Sequence, residues 1–224
     1  MQLHLFSTPG PGLDVTWVMD ACRGILNGRP NAIVAYLPQA SLNVGRWLAQ
    51  TERGFRGLAR VELIDTEQME LPGIEAVFRR ATLVYIPGGN AFLLNHRLHT
   101  GRLAPYLREK IRHGLPVVAF SAGALVCGPN ILTSNDLNLV PTAHFEALGI
   151  LPYNLNVHYT DTAERDNWLA EYHSFHENAV LMLEDGAYVK TEGKTTTLVR
   201  GEAWTWRAGE VKQRLTPGET ILPA

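Results

Sequence analysis

The stretch Pro116-Val117-Val118-Ala119-Phe120-Ser121-Ala122-Gly123-Ala124 decides how this chain is read. Val117 to Phe120 is a short apolar run of the kind that forms a buried strand. Ser121 follows at once, and after it come only small residues. Small neighbours let a chain turn sharply from strand to helix, which lifts the serine hydroxyl off the strand end and points the amide of Ala122 outward. An exposed serine beside an outward amide is half of an acyl-transfer site. The same segment fits an ordinary helix-capping serine equally well, and the glycine that usually stands two residues before an elbow nucleophile is Ala119 here.

Around this segment the first two thirds of the chain alternate between two patterns. Apolar runs at Gln2–Phe6, Asn31–Tyr36, Ala59–Ile64, Thr82–Ile86 and Pro116–Phe120 predict strands. Amphipathic stretches at Val15–Leu26, Val44–Phe55 and Leu103–His113 predict helices, the last with Leu107, Ile111 and Leu115 at helical spacing. Strands joined by helices of this length imply βαβ crossovers and an α/β fold, a mostly parallel sheet flanked by helices. Ligands of such sheets bind beyond the carboxyl ends of the strands. Two of those ends stand out, Ile86 running into Pro87-Gly88-Gly89-Asn90 and Phe120 running into Ser121. The last third reads differently. Ala179–Leu183, Ala187–Lys190, Thr195–Val199 and Ala203–Arg207 are short strands divided by Asp185-Gly186, Glu192-Gly193 and Ala208-Gly209, which predicts C-terminal antiparallel hairpins added to the sheet edge.

Composition narrows the function classes. At 224 residues with 46% hydrophobic content, the chain suits a single α/β domain over 1–224 with a sizeable core. A net charge of −2 and the lack of a basic run give no electrostatic basis for nucleic acid or a membrane surface. No apolar stretch approaches the roughly 20 residues of a spanning helix. Met1–Phe6 is too short for a signal peptide before the Pro9–Gly12 turn, so a cytoplasmic protein is expected. Cys22 and Cys127 offer neither a disulfide framework nor metal spacing.

An attacking serine needs a base, an acid to orient that base, and donors for the oxyanion. Gly88 or Gly89 would bring a backbone N–H to a substrate beside the Ala122 amide, although a plain glycine turn opening a helix near Ala91 reads the same way. Of eight histidines, His158 lies in the alternating segment Leu155–Asp161, near a strand end. His96, His99, His113, His173 and His176 fall in helical or helix-end contexts, His144 in a loop and His4 in the first strand. His173 and His176 lack a third ligand, so no metal or other cofactor is expected. Glu184 and Asp185 precede Gly186, and the pattern alone leaves the acid unassigned.

Five pieces, in order, resemble the peptidase E (aspartyl dipeptidase) family of serine peptidases, to which cyanophycinase is related. They are Pro87–Leu94, Phe120–Ala124, Thr133–Asp136, Asn156–Thr160 and Leu183–Gly186. The resemblance implies a class I glutamine amidotransferase-like fold, with Ser121 as nucleophile, His158 as base and the Gly89 and Ala122 amides as the oxyanion hole. It implies an acid just before Gly186. The family usually has glutamate there, whereas this chain has Asp185, with Glu184 one step earlier as the alternative. It further implies that Arg165 meets a substrate carboxylate, that Asn90, Asn135 and Asp136 line the substrate site, and that short peptides beginning with aspartate are cleaved. For Arg165 a surface pairing with Asp161 or Glu164 competes. The segment around Asn135 and Asp136 is one residue longer than the family pattern, which leaves specificity open. A cyanophycinase-like or esterase activity, or a non-catalytic binder of the same fold, stands as the alternative. Amidotransferases of this architecture use cysteine, but Cys127 is six residues past the elbow and expected inside the following helix. A homodimer is compatible with the sequence, which fixes no interface.

Overall fold

In the computed structural model, which describes residues 1–12 and 14–221, the first two thirds alternate strand and helix as the apolar spacing predicts. In chain order these are β1 (Gln2–Phe6), α1 (Thr16–Leu26), β2 (Ile33–Tyr36), α2 (Val44–Gly54), β3 (Arg60–Leu63), α3 (Leu71–Arg80) and β4 (Leu83–Ile86). There follow α4 (Ala91–Thr100), α5 (Leu103–Arg112), β5 (Val117–Phe120) and the single turn α6 (Ala122–Leu125). The remainder contributes β6 (Asn154–Tyr159), α7 (Ala163–His173), β7 (Val180–Glu184), β8 (Tyr188–Glu192), β9 (Thr195–Arg200), β10 (Ala203–Trp206), β11 (Gln213–Leu215) and β12 (Thr220–Ile221).

The main sheet has eight strands in the order β12-β9-β8-β1-β5-β4-β2-β3. From β1 to β3 every pairing is parallel, while β8, β9 and β12 extend the other side of β1 in antiparallel fashion. Both faces of the parallel part are apolar because helices cover both. On one face Leu5, Val84, Ile86 and Ala119 pack with Ile74 of α3, Leu94 of α4 and Leu107 of α5. On the other, Phe6, Tyr36, Tyr85 and Val118 pack with Val18, Cys22 and Ile25 of α1 and with Phe55. Among the described residues no helix is long and apolar enough to cross a membrane.

The last third departs from a simple edge extension. The β8–β9 pair joined at Glu192-Gly193 is a hairpin on the main sheet. In contrast, β7 and β10 belong to a second sheet, ordered β11-β10-β7-β6, in which β6 and β7 are parallel. Asp185-Gly186 is therefore not a hairpin turn; it carries the chain from one sheet to the other. The reason lies in β7, which is apolar on both faces. Leu181 and Leu183 join the large central core, while Val180 and Met182 pack with Leu169 and Tyr172 of α7 and with Trp204. A strand needing cover on both sides cannot sit at an exposed edge, so it forms its own layer.

One buried titratable group in β1 makes stability depend on pH. His4 is 6% exposed, with Nδ1 2.6 Å from the Tyr188 hydroxyl. Burial, and after it the Lys190 ammonium, lower its pKa from 6.5 to about 4 against the pull of Glu192. The unfolded chain takes up a proton that the folded one refuses. Stability from this group is thus complete above about pH 6.5 and falls as the pH drops toward 4, by about 3 kcal/mol. Denaturant unfolding at about pH 7 and about pH 4.5 is expected to show a fall for His4→Gln smaller than for the wild type by about 2 kcal/mol. An identical pH dependence of the two proteins would contradict it.

Candidate active site

Ser121 sits at the elbow with φ 52° and ψ −123°, a backbone region that costs a non-glycine residue on the order of 1–3 kcal/mol. Its N–H donates to the Phe6 carbonyl at 2.9 Å, which ties the elbow to the end of β1. The turn also packs directly on β4, since a Cβ at Gly123 would lie 2.2 Å from the Ile86 carbonyl oxygen. The serine side chain makes no capping bond to α6; its Oγ lies 2.9 Å from His158 Nε2.

His158 is the fifth residue of β6 and also has positive φ, at 54°. The register against β7 shifts between Val157 and Tyr159, so His158 sits on a bulge, a device that re-aims a side chain at a sheet margin. Its N–H donates to Ser7 Oγ at 2.9 Å, and its Nδ1 lies 2.6 Å from Asp185 Oδ1. With Nδ1–H donating to that carboxylate, Nε2 is the free acceptor facing Ser121. Asp185 lies just past β7, while Glu184 ends the strand and has no side-chain hydrogen bond to His158. The aspartate and not the glutamate reaches the imidazole.

The turn carrying Asp185 is fixed at both polar groups of Gly186. Its N–H donates to Thr8 Oγ1 at 2.9 Å, and its carbonyl accepts from Arg200 Nε at 3.2 Å, with that guanidinium 3.6 Å over the Trp17 ring. Ser7 Oγ, fully buried, also lies 3.2 Å from the Leu183 carbonyl and 3.4 Å from Asp185 Oδ1. Three consecutive residues, Phe6, Ser7 and Thr8, thus hold the three segments that carry Ser121, His158 and Asp185.

The glycine turn after β4 lies against the serine, because a Cβ at Gly88 would come 2.9 Å from Ser121 Cβ. Gly89 has φ 139° and approaches Ala40 so closely that a Cβ would meet its carbonyl oxygen at 2.3 Å. Neither the Gly89 nor the Ala122 amide hydrogen-bonds a described residue, so both are available to an oxyanion. The Ala40 carbonyl accepts from Asn90 N–H, and its loop is clamped by buried Arg97, which donates to the carbonyls of Gln39 and Ser41 and pairs with Glu67.

The other expected residues fall beside this centre. Asn90 caps α4 by accepting from Leu93 N–H, and its amide donates to the Leu137 carbonyl. Asp136 accepts from Ala91 N–H at 2.7 Å. Asn135 donates to the Val157 carbonyl, one residue from His158, and accepts from the Arg165 guanidinium. Arg165 is therefore paired with neither Asp161 nor Glu164; Asp161 instead binds Lys212. Asn135, Asp136 and Arg165 line a polar cavity of about 670 Å³. Ser121, His158, Gly89 and Asn90 line a separate, mainly apolar one of about 900 Å³. Cys127 lies two residues beyond the short α6 and not inside a helix, and burial pushes its thiol up to about 12. Among the described residues no three His, Cys, Asp or Glu side chains converge as a metal-binding group.

Sequence reasoning missed Ser7, Thr8 and Arg97. The signal for the first two was their place directly after the first strand, at the carboxyl edge where such sheets bind ligands. Arg97 carried no local signal, since its role depends on burial against a loop distant in sequence.

Residues 16–199 match the family described as Peptidase family S51. Peptidase E of Shewanella oneidensis is 32% identical over 191 residues, covering 84% of this chain and 75% of that protein. A Drosophila melanogaster protein named "Probable alpha-aspartyl dipeptidase" is 34% identical over 137 residues, 57% of each chain. This chain thus spans little more than half the length of that relative. The crystal structure of a peptidase from an acI-B1 actinobacterium superposes with a TM-score of 0.74 at 17% identity, covering 98% of this chain and 96% of that one, a likeness of fold.

Removing the Ser7 hydroxyl leaves the part-buried His158 N–H without its acceptor. Ser7→Ala is expected to lower unfolding free energy by about 1–3 kcal/mol, seen as a drop of several degrees in thermal midpoint by circular dichroism. An unchanged midpoint would show that Ser7, just past β1, does not hold the His158 bulge.

Proposed function

The chain belongs to peptidase family S51, and on that premise we propose that it is a serine-type dipeptidase cleaving short peptides whose first residue is aspartate. The observation that carries this reading is the continuous relay from Ser121 Oγ through the His158 imidazole to Asp185, with steps of 2.9 and 2.6 Å. Such a relay suits proton transfer during attack on a carbonyl. His158 Nε2 takes the hydroxyl proton as Ser121 Oγ bonds to the scissile carbon. The amides of Gly89 and Ala122 receive the oxyanion. His158 then gives its proton to the departing amine, the carbon–nitrogen bond breaks, and an aspartyl ester on Ser121 remains. Water, deprotonated by the same imidazole, hydrolyses the ester. Asp185 keeps the proton-bearing Nδ1 oriented and favours the imidazolium formed in each half-reaction.

The aspartate preference rests on the names of the relatives and on Arg165. A guanidinium meets a carboxylate through two parallel N–H bonds, and Asn135 holds Arg165 beside the strand that carries His158. The Asp136 carboxylate in the same cavity suits the free ammonium of the substrate.

Liquid chromatography of the products from Asp-Leu, Leu-Leu and N-blocked Asp-Leu tests the reading. Cleavage of Asp-Leu alone is expected. Ser121→Ala and His158→Ala should lose several orders of magnitude in turnover. Asp185→Asn should lose on the order of 10⁴-fold, with Glu184→Gln close to wild type. A folded Ser121→Ala protein that keeps most of its activity would remove the mechanism, and equal cleavage of Leu-Leu would remove the role of Arg165.

A further inference from the structure

The cavity that holds Ser121 has one feature the reaction above leaves unused. Its lining contains no aspartate or glutamate among the described residues and only one arginine or lysine, Arg46. Arg46 is the third residue of α2, solvent-exposed, and no ion pair among the described residues engages it. Its guanidinium lies 5.3 Å from the Trp47 ring centroid, an arrangement that holds the group without neutralising it. The surrounding wall is mainly apolar, with Ser41, Asn43, Gln50 and Thr51 as its neutral polar members near α2. Leu42, Trp47 and Leu139 line it while being 81%, 39% and 62% exposed, so apolar surface is left open to water around the cation. Open apolar surface of this kind marks a binding face.

An apolar wall, one fixed positive charge and no negative charge together suit an anion attached to an apolar group. A dipeptide seated for attack at Ser121 presents such a group on its leaving side. Its second residue carries the side chain and, about one residue length from the scissile bond, the terminal carboxylate. We infer that Arg46 binds the C-terminal carboxylate of the substrate and that Leu42, Trp47 and Leu139 receive an apolar second side chain. This rests on the dipeptidase reading above, in which Arg165 takes the aspartate side chain in the other cavity. Arg46 then supplies specificity for short substrates, because a longer peptide or a C-terminal amide has no carboxylate at that place.

Initial rates with Asp-Leu and Asp-Leu-amide test the assignment, for wild type, Arg46→Gln and Arg46→Lys, with Leu-Leu as a further substrate. The wild type should cleave Asp-Leu at least about tenfold more efficiently than the amide, through a lower KM. Arg46→Gln should raise the KM for Asp-Leu about tenfold or more, bring the two substrates level and leave the preference over Leu-Leu in place, with partial recovery in Arg46→Lys. Equal loss on both substrates, or no loss, would overturn the inference. A lost preference for Asp-Leu over Leu-Leu would also overturn it, by moving Arg46 to the aspartate side chain. A wild type that cleaves no free dipeptide would instead remove the dipeptidase reading, and the inference with it.

Discussion

Two residues of the site, Ser121 and His158, occupy backbone conformations that side chains disfavour, and the carboxyl end of β1 holds both in place. Phe6 accepts from the serine N–H, Ser7 accepts from the histidine N–H, and Thr8 fixes the turn bearing Asp185. Strain of this kind persists only where the surroundings over-determine it. Here the surroundings are two sheets and the turn between them: β5 is parallel to β1, β6 and β7 lie in the second sheet, and β8 returns to β1. The relay is thus set by the positions of three strand ends.

The two cavities divide the electrostatics of the centre. One, bounded by Asn135, Asp136 and Arg165, is polar and carries charges of both signs. The other, around Ser121, is largely apolar, with Arg46 at its margin. A substrate lying across them would lose water on the side where charge develops on the carbonyl oxygen, and amide donors gain strength in such a setting. The second layer behind the donors is also rigid, because Arg97 clamps the loop against which Gly89 is pressed.

Much of this was legible in the chain. The parallel strands and their helices follow from apolar spacing, and the small residues after Ser121 announce a sharp turn. The candidate base could be ranked by its place near a strand end. The second sheet was not legible, because β7 reads as an ordinary short strand until its two faces are seen to need separate cover. The choice between Glu184 and Asp185 also lay beyond pattern, since it depends on where a turn between two sheets begins. Ser7 and Thr8 look like generic loop residues, and their importance arises from bonds to residues more than 150 positions away. The exposed wall around Arg46 carries no sequence signature, because Leu139 joins Leu42 and Trp47 from a segment more than 90 residues away.

The assignment of Ser121 as nucleophile is tested most directly by reaction with a fluorophosphonate, followed by mass spectrometry of the digested protein. A single adduct on Ser121 is expected, absent after prior unfolding and strongly slowed in His158→Ala, because only the assembled relay makes that hydroxyl reactive. Hydrolysis of peptide by protein whose Ser121 stays unmodified at saturating probe, or an adduct on another serine that abolishes activity, would contradict it.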